Sequence, residues 1–138
     1  MNYHATINQI KRHEGLKLHP YKCTAGKTTI GYGRNLDDKG ITASEAEEML
    51  LTDMCEVEER LFGEGLFSGL NDARKAVLIN MGYQLGIGGL FKFKKMIAAL
   101  DRKEYELAAK EMLDSRWAMQ TPRRAKELSE QMLTGEFQ

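Results

Sequence analysis

The sequence predicts an α+β protein with a small β-hairpin lobe and a larger all-helical lobe, joined by a long helix. Residues 28–32 form a short β-type run that follows a turn at Thr24–Lys27. A capping box opens a long helix at Thr42, and helical patterns with end signals fill most of the chain beyond it. At 138 residues the chain is long enough to bury a core, and we expect one domain over residues 1–138.

The first helix is predicted over Met1–Glu14. Apolar residues recur at helical spacing from Tyr3 to Ile10, and Asn2 is suited to cap the start. Gly15 is a usual helix stop, because glycine readily takes the backbone conformation that ends a helix. The hairpin lobe is therefore expected to cover about residues 14–41.

The connecting helix is predicted over about residues 42–61, after a polar turn at Asp37–Gly40. Thr42 supplies a hydroxyl at the N-cap position, and Glu45 supplies a carboxylate three residues later. This pair is the usual sequence signature of a helix start.

The helical lobe is predicted to comprise about residues 62–138 together with the first helix. Its central helix begins after a cap at Asn71 or Asp72, is apolar almost all round and stops at Gly86–Gly89. We interpret Trp117 as part of the core. The remaining helical segments are Phe91–Leu100, Lys103–Asp114, a short piece at Arg116–Met119, and a last helix with Thr121 as cap, Pro122 at its first position and Gly135 beyond its end.

Composition and charge exclude several classes of function. The chain has 20 Lys and Arg residues against 20 Asp and Glu residues, so no net charge favours nucleic acid or an anionic membrane as partner. No apolar run has transmembrane length, and the N-terminus lacks a signal peptide, so work outside the cytoplasm would need help with export. We expect a monomer with no membrane insertion.

Metal and disulfide chemistry are not expected either. The three histidines lack metal-ligand spacing, and we predict neither a metal nor another cofactor. Two cysteines, Cys23 and Cys55, are too few for a disulfide framework.

The stretch from Glu14 to Gly33 is the candidate functional segment. Eight residues separate Glu14 from Cys23, and five separate Cys23 from Thr29. A hairpin folded back over the helix end would bring a carboxyl, a thiol and a hydroxyl group near one another. Taken alone, the same residues also fit a surface glutamate, a small apolar side chain and a β-forming threonine.

This spacing resembles that of the T-even type of phage lysozymes, glycoside hydrolase family 24, whose members serve as endolysins. The family carries a glutamate, then aspartate or cysteine after eight residues, then threonine after five more. Two further segments resemble the same family, the central helix around Leu78–Gly86 and the C-terminal region from Asp114 to Gly135. The resemblance extends from about Ile7 to Phe137, and the fold it implies agrees with the two lobes predicted above.

The resemblance implies hydrolysis of the β-1,4 bond between N-acetylmuramic acid and N-acetylglucosamine in bacterial peptidoglycan. Glu14 would donate the proton, and partial burial at the helix end would favour its protonated form. Thr29 would hold the attacking water. Cys23 stands where many members have aspartate, and three interpretations stay open: it positions water, it acts as a thiolate, or it is a spectator.

Further residues match positions of the family's cleft. Asn35, Tyr83 and Gln84 supply the amide and aromatic groups that a polysaccharide needs, and they are the predicted substrate contacts. Arg124 matches an arginine that forms an ion pair with the catalytic glutamate, so we expect an ion pair with Glu14.

Two alternative functions remain at this stage. A lytic transglycosylase needs only the glutamate, and the absence of aspartate at Cys23 is compatible with it. A catalytically inactive peptidoglycan-binding module would use the same cleft. For an endolysin, the resemblance implies accumulation in the host cytoplasm, release by a separate holin, and action in the periplasm or cell wall at lysis.

Overall fold

The computed structural model describes all residues, Met1–Gln138, and divides into two compact units, Met1–Glu48 and Met49–Gln138. One three-stranded antiparallel sheet and eight helices confirm the predicted α+β class. In chain order the elements are α1 (Tyr3–Glu14), β1 (Lys17–Lys22), β2 (Thr28–Gly31), β3 (Arg34–Asn35), α2 (Leu36–Lys39), α3 (Ala43–Gly63), α4 (Asp72–Phe91), α5 (Lys94–Asp101), α6 (Tyr105–Leu113), α7 (Arg116–Gln120) and α8 (Pro122–Thr134).

The predicted bounds of the two lobes stay a prediction. We expected the first helix to belong to the helical lobe, whereas α1 groups with the sheet in the first unit. Its start is as expected, since the Asn2 side chain accepts a hydrogen bond from the Ala5 N–H at 3.0 Å. Its end is also as expected, because Gly15 stops the helix with φ of 70°. None of the residues of α1 is buried.

The sheet has the strand order β1–β2–β3. The predicted strand and its preceding turn are present as β2 and the residues before it. The register of β1 against β2 shifts between Lys17 and Tyr21, next to Pro20. Proline has no N–H to donate, so it suits an edge strand with an irregular register.

The junction between β3 and α3 contains one difference from the sequence prediction. The predicted polar turn at Asp37–Gly40 was wrong, since Leu36–Lys39 form a one-turn helix with Asn35 as its side-chain cap. The capping box of α3 is confirmed, because the Glu45 N–H donates to Thr42 Oγ1 at 3.1 Å and the Thr42 N–H donates to Glu45 Oε1 at 2.9 Å.

The apolar core lies in the second unit. Its buried side chains come from α3 to α8 and include Leu61, Leu78, Met81, Trp117 and Met132. Trp117 is therefore core, as predicted. α4 supplies much of this core because it is apolar on nearly all sides.

The central helix starts as predicted, with Asn71 as the residue that caps it. It does not end at Gly86, although the expected break is there: Gly86 has non-helical angles, φ 76° and ψ 161°, and helical structure resumes as far as Phe91. Glycine allows this local kink because it adopts positive φ without strain.

The last helix begins with Pro122 and ends at a left-handed Gly135 with φ of 72°, as predicted. Thr121 occupies the N-cap position, but its side chain does not cap the helix. Its hydroxyl instead donates to the Trp117 carbonyl at 3.0 Å. None of the helices is both long and apolar enough to cross a lipid bilayer.

Candidate active site

Glu14 is the last residue of α1, and its carboxyl group points to the loop after β2. The side chain is exposed, which corrects the expectation of partial burial. One turn earlier on α1, the Lys11 ammonium lies 5.3 Å from the centroid of the Tyr32 ring. The end of α1 and the Tyr32–Gly33 segment therefore meet at the candidate acid.

Gly33 lies directly against the Glu14 carboxyl group. A Cβ atom built on Gly33 would collide with Glu14 Oε2 and would stand 3.1 Å from its carboxyl carbon. Gly33 also has φ of 78°, a conformation that favours glycine. Sequence reasoning did not assign a role to Gly33, although the Gly31-Tyr32-Gly33 pattern marks a place where backbone approaches a neighbour closely.

The structure brings Cys23 and Thr29 together through one carbonyl group. The Lys27 carbonyl accepts a hydrogen bond from the Cys23 N–H at 3.0 Å and another from the Thr29 hydroxyl at 2.8 Å. Thr29 is only 3% exposed, the one buried residue of the first unit, whereas Cys23 is half-buried and free of any disulfide. The turn at Cys23–Lys27 thus connects the Cys23 backbone and the Thr29 hydroxyl to the same carbonyl oxygen.

The environment of Cys23 makes its thiol more acidic than an ordinary cysteine. Backbone N–H groups, first that of Lys27 and then that of Ala25, stabilise the thiolate and lower the pKa of Cys23. Partial burial opposes this effect. A lowered pKa increases the thiolate fraction near neutral pH.

Asn35 is engaged in local structure in the first unit. Its Oδ1 accepts from the Asp38 N–H at 3.1 Å, and its Nδ2 donates to Asp38 Oδ2 at 2.9 Å. The amide therefore organises the start of α2. The predicted substrate contact of Asn35 stays a prediction.

Arg124 is held by Asn80 of α4, a partner that sequence reasoning missed. Arg124 Nε and Nη2 donate to Asn80 Oδ1 at 2.9 and 2.5 Å, and Nη2 also lies 3.3 Å from the Asn80 carbonyl oxygen. Nη1 takes part in none of these bonds. The ion pair of Arg124 with Glu14 stays a prediction, since the two residues belong to different units.

Tyr83 and Gln84 lie at the end of the regular part of α4. Tyr83 is 45% exposed, so it is not a core residue. Gln84 Oε1 accepts from the Trp117 indole N–H at 2.8 Å, which leaves the Gln84 amide N–H groups as potential donors. The orientation of Gln84 is thus fixed by a residue that was predicted only as core.

The second unit has one cavity beside Tyr83 and Arg124 and another beside Trp117. One of about 380 Å³ is lined by Leu50, Met54, Ala76, Ile79, Asn80, Tyr83 and Arg124. The other, of about 570 Å³, has aromatic walls from Phe93 and Trp117 and carries both lysine and carboxylate side chains at its edge. Both combine apolar surface with a few polar groups, which is typical of ligand sites.

The first unit holds an exposed carboxyl group at the end of α1 together with the Cys23 thiol and the Thr29 hydroxyl. A proton donor and groups that accept hydrogen bonds from water are what acid-catalysed glycoside hydrolysis uses, so the group types of this unit are compatible with that class of enzyme. No group of three or more histidine, cysteine or carboxylate side chains is placed to hold a metal ion.

Comparison with known proteins specifies the family. The family model for phage lysozymes matches residues 11–131, and the chain belongs to the phage lysozyme family. It is therefore a lysozyme-type peptidoglycan hydrolase, as the motif around Glu14 indicated.

Individual relatives agree with this assignment. Probable T4-type lysozyme 1 of Dictyostelium discoideum is 30% identical over 158 aligned positions, which cover 93% of both chains. An endolysin of Bacillus phage PZA is 33% identical over 127 positions, covering 82% of this chain and 45% of the endolysin. The pre-baseplate central spike protein Gp5 of Enterobacteria phage T4 is 27% identical, covering 94% of this chain and 28% of the spike protein.

Proposed function

We propose that the protein is an endolysin that hydrolyses the β-1,4 bond between N-acetylmuramic acid and N-acetylglucosamine during host cell lysis. The observation that carries the proposal is the arrangement of the first unit. There, the Glu14 carboxyl group abuts Gly33, and the Lys27 carbonyl pairs Cys23 with Thr29. These are the two parts that a glycosidase needs, a proton donor and a group that controls water.

Glu14 is the general acid in this proposal. Its carboxyl group protonates the departing glycosidic oxygen while positive charge develops on the sugar ring. The carboxyl group is exposed in the free protein, so bound glycan must supply the desolvation that favours the protonated form. Contact with the Gly33 backbone restricts the positions that this acid can take.

Thr29 and Cys23 position the attacking water. The Thr29 hydroxyl proton is donated to the Lys27 carbonyl, so its oxygen lone pairs are available to accept a hydrogen bond from water. The lowered pKa of Cys23 raises the fraction of thiolate, the form whose sulfur accepts a hydrogen bond from water more strongly. Attack from the face opposite Glu14 gives inversion. We expect the Glu14 carboxyl group and the Cys23 sulfur to leave room for a water between them, by analogy with the roughly 6.5–9.5 Å that separate the two carboxyl groups of inverting enzymes.

The second unit supplies candidate sugar contacts. The exposed Tyr83 ring offers a flat face to a pyranose ring, and the Gln84 amide offers donors to hydroxyl and N-acetyl groups. Asn35 is the corresponding contact from the first unit. Arg124, already held by Asn80, would add the ion pair with Glu14 in the free enzyme, and substrate would replace it.

A lytic transglycosylase is the second candidate. It would use Glu14 as the acid and the sugar's own hydroxyl as the nucleophile, with no need for positioned water. The thiol of Cys23 in place of a carboxylate favours this candidate, because a neutral thiol supports an oxocarbenium-like centre less strongly than a carboxylate does.

Mass spectrometry of the fragments released from purified peptidoglycan distinguishes these functions. For the wild type and Cys23→Asp we expect muropeptides with free reducing ends, and for Cys23→Ala a strongly reduced yield. Products with a 1,6-anhydro group would identify a transglycosylase. Binding to peptidoglycan without soluble products would identify an inactive wall-binding module.

The biological setting follows from the same proposal. An endolysin accumulates in the host cytoplasm and reaches the periplasm and cell wall after a holin has opened the inner membrane. We propose that it acts there as a monomer. Sedimentation of the purified protein tests the oligomeric state, and a dimer at micromolar concentration would contradict it.

A further inference from the structure

The peptide group between Lys27 and Thr28 lies at the centre of the candidate water site. Its carbonyl oxygen accepts both the Cys23 N–H at 3.0 Å and the Thr29 hydroxyl at 2.8 Å. Its N–H, on the opposite side, donates to Asp37 Oδ2 at 2.7 Å. A peptide group is planar, so a partner that fixes the direction of the N–H also fixes the direction of the carbonyl.

We propose that Asp37 is a positioning residue for hydrolysis, whose carboxylate holds the Lys27–Thr28 peptide group and thereby fixes Thr29 and Cys23. This inference rests on the proposed role of those two residues in positioning water. Asp37 forms no hydrogen bond with either residue and bonds instead to the Thr28 N–H. From its position on α2, Asp37 influences both Thr29 and Cys23 through the Lys27–Thr28 peptide group.

The charge on Asp37 strengthens this connection. A carboxylate is a stronger hydrogen-bond acceptor than a neutral oxygen, and a bond to the N–H polarises the peptide so that its carbonyl accepts more strongly. The Lys27 carbonyl consequently retains the Thr29 proton more firmly. Thr29 is then left to accept a hydrogen bond from water.

The surrounding charges keep Asp37 ionised. The Thr28 N–H lowers the pKa of Asp37 most, and the ammonium groups of Lys22 and Lys27 lower it further. Lys22 also donates to Thr28 Oγ1 at 2.6 Å. The neighbouring carboxylate of Asp38 pairs with Lys27 at 3.2 Å and so has a different partner from Asp37.

The reactivity of Cys23 reports on this arrangement without any need for catalysis. The Lys27 N–H is the largest influence that lowers the pKa of the Cys23 thiol. If Asp37 fixes this turn, Asp37→Ala should loosen it and raise the thiol pKa toward that of an ordinary cysteine. Asp37→Asn retains an acceptor oxygen and should retain most of the lowered pKa.

The experiment measures the rate of alkylation of Cys23 by iodoacetamide against pH, in a Cys55→Ser background so that one thiol reacts. Asp53→Ala is the matched control, since Asp53 is an exposed aspartate on α3. Steady-state hydrolysis of soluble peptidoglycan fragments is measured in parallel. For Asp37→Ala we expect a raised pKa of the Cys23 thiol and a decrease in kcat of up to about tenfold. KM should change little, because positioning contributes mainly after substrate has bound.

A second measurement needs no variant and covers the case in which Asp37→Ala does not fold. In the wild type, the amide signals of Thr28 and Thr29 should shift with a single acid midpoint that lies below the usual range for aspartate. Amide signals that do not follow the ionisation of Asp37 would overturn the proposal. So would a folded Asp37→Ala with the thiol pKa and kcat of the wild type.

The two proposals fail separately. If wild type releases no products from peptidoglycan, the proposed function fails, while the thiol pKa and the Thr28 titration still decide whether Asp37 fixes the turn. If hydrolysis occurs and Asp37→Ala matches the control in both measurements, only the role of Asp37 fails.

Discussion

At the residue scale, Gly33 determines how closely the backbone approaches the Glu14 carboxyl group. Two properties of glycine are used at this position, the positive φ of 78° and the absence of a side chain. Only the absence of a side chain concerns the acid directly. Its effect can be separated from that of the positive φ by comparison with another glycine.

We predict that Gly33→Ala lowers kcat by about 10- to 100-fold, because its methyl group displaces the acid from its working position. Gly65→Ala is the control: Gly65 also has positive φ, 74°, but no neighbour within 4 Å of the added Cβ. Both variants should lose about 1–2 kcal/mol of unfolding free energy from backbone strain. Equal activity of the two in a reducing-end assay would exclude a role of Gly33 in placing Glu14.

The sequence predicted the candidate acid, thiol and hydroxyl, because a spacing motif records residue types. The hydrogen-bond partners of the candidate site residues could not be predicted in the same way. The Lys27 carbonyl acts through the backbone, and any residue type would supply it. Asn80 and Gln84 acquire their partners, Arg124 and Trp117, only when distant helices pack.

At the element scale, the ion pair of Arg34 and Glu45 connects β3 to the start of α3. Arg34 Nη1 and Nη2 donate to the two carboxylate oxygens at 2.9 and 2.5 Å, and Nη1 also donates to the Gly40 carbonyl at 3.1 Å. The Arg34 guanidinium, followed by the Thr42 N–H, lowers the pKa of Glu45 to about 2. Glu45 thus serves both the sheet and the capping box.

We predict that the stabilising effect of Glu45 depends on pH. Because its pKa is lower in the folded state than in the unfolded state, the stabilisation is complete above the ordinary value of 4.5 and is lost as pH falls toward 2. Glu45→Gln should therefore lower Tm at pH 7 and have little effect near pH 2. A Tm difference that does not vary with pH, or an equal effect of Glu47→Gln on the same helix, would contradict this.

The end of α8 depends on a second arginine. Arg74 of α4 donates from Nε to the Met132 carbonyl at 2.8 Å and from Nη2 to the Leu133 carbonyl at 3.0 Å. Its guanidinium carbon also lies 3.6 Å from the centroid of the Tyr105 ring. The last carbonyl groups of a helix have no partners within the helix, so Arg74 satisfies two of them.

We predict that Arg74→Leu lowers the unfolding free energy by about 1–3 kcal/mol, through loss of two hydrogen bonds and the cation–π contact. Denaturant unfolding at pH 7 measures this change. Arg123→Leu, at an exposed position of α8, should change it by less than about 0.5 kcal/mol. An Arg74 variant as stable as the Arg123 variant would show that these contacts contribute little.

Elements with end signals were predictable, and short ones were not. Asn2, the Thr42–Glu45 pair and Pro122 each marked a helix start that the structure contains. α2 was missed because a helix of four residues is too short to show periodicity. The continuation of α4 past Gly86 was missed because a glycine with positive φ can kink a helix as well as end it.

At the scale of the whole molecule, the buried apolar side chains are unevenly distributed. All of them lie between Leu61 and Met132, and Thr29 is the only buried residue of the first unit. Local opening is governed by buried apolar contacts, so the two units should differ in their resistance to it. The candidate acid and water site are in the unit with less core.

We predict that native-state hydrogen exchange is slowest for amides in α4, α6 and α8 and much faster in α1. The second unit should open only on global unfolding, whereas the first should open by local fluctuation. Mass spectrometry of exchanged fragments, or residue-specific NMR, measures the difference. Equal protection of α1 and α4 would show that the two units unfold together.

Reducing-end release from peptidoglycan by Glu14→Gln tests most directly whether Glu14 is the acid of this hydrolase. This variant keeps the size of the side chain but has no acidic proton that can be transferred to a glycosidic oxygen. We predict a loss of activity of about 100-fold or more with an unchanged Tm, while Glu127→Gln on α8 retains full activity. Wild-type rates of reducing-end release in a folded Glu14→Gln would contradict the account.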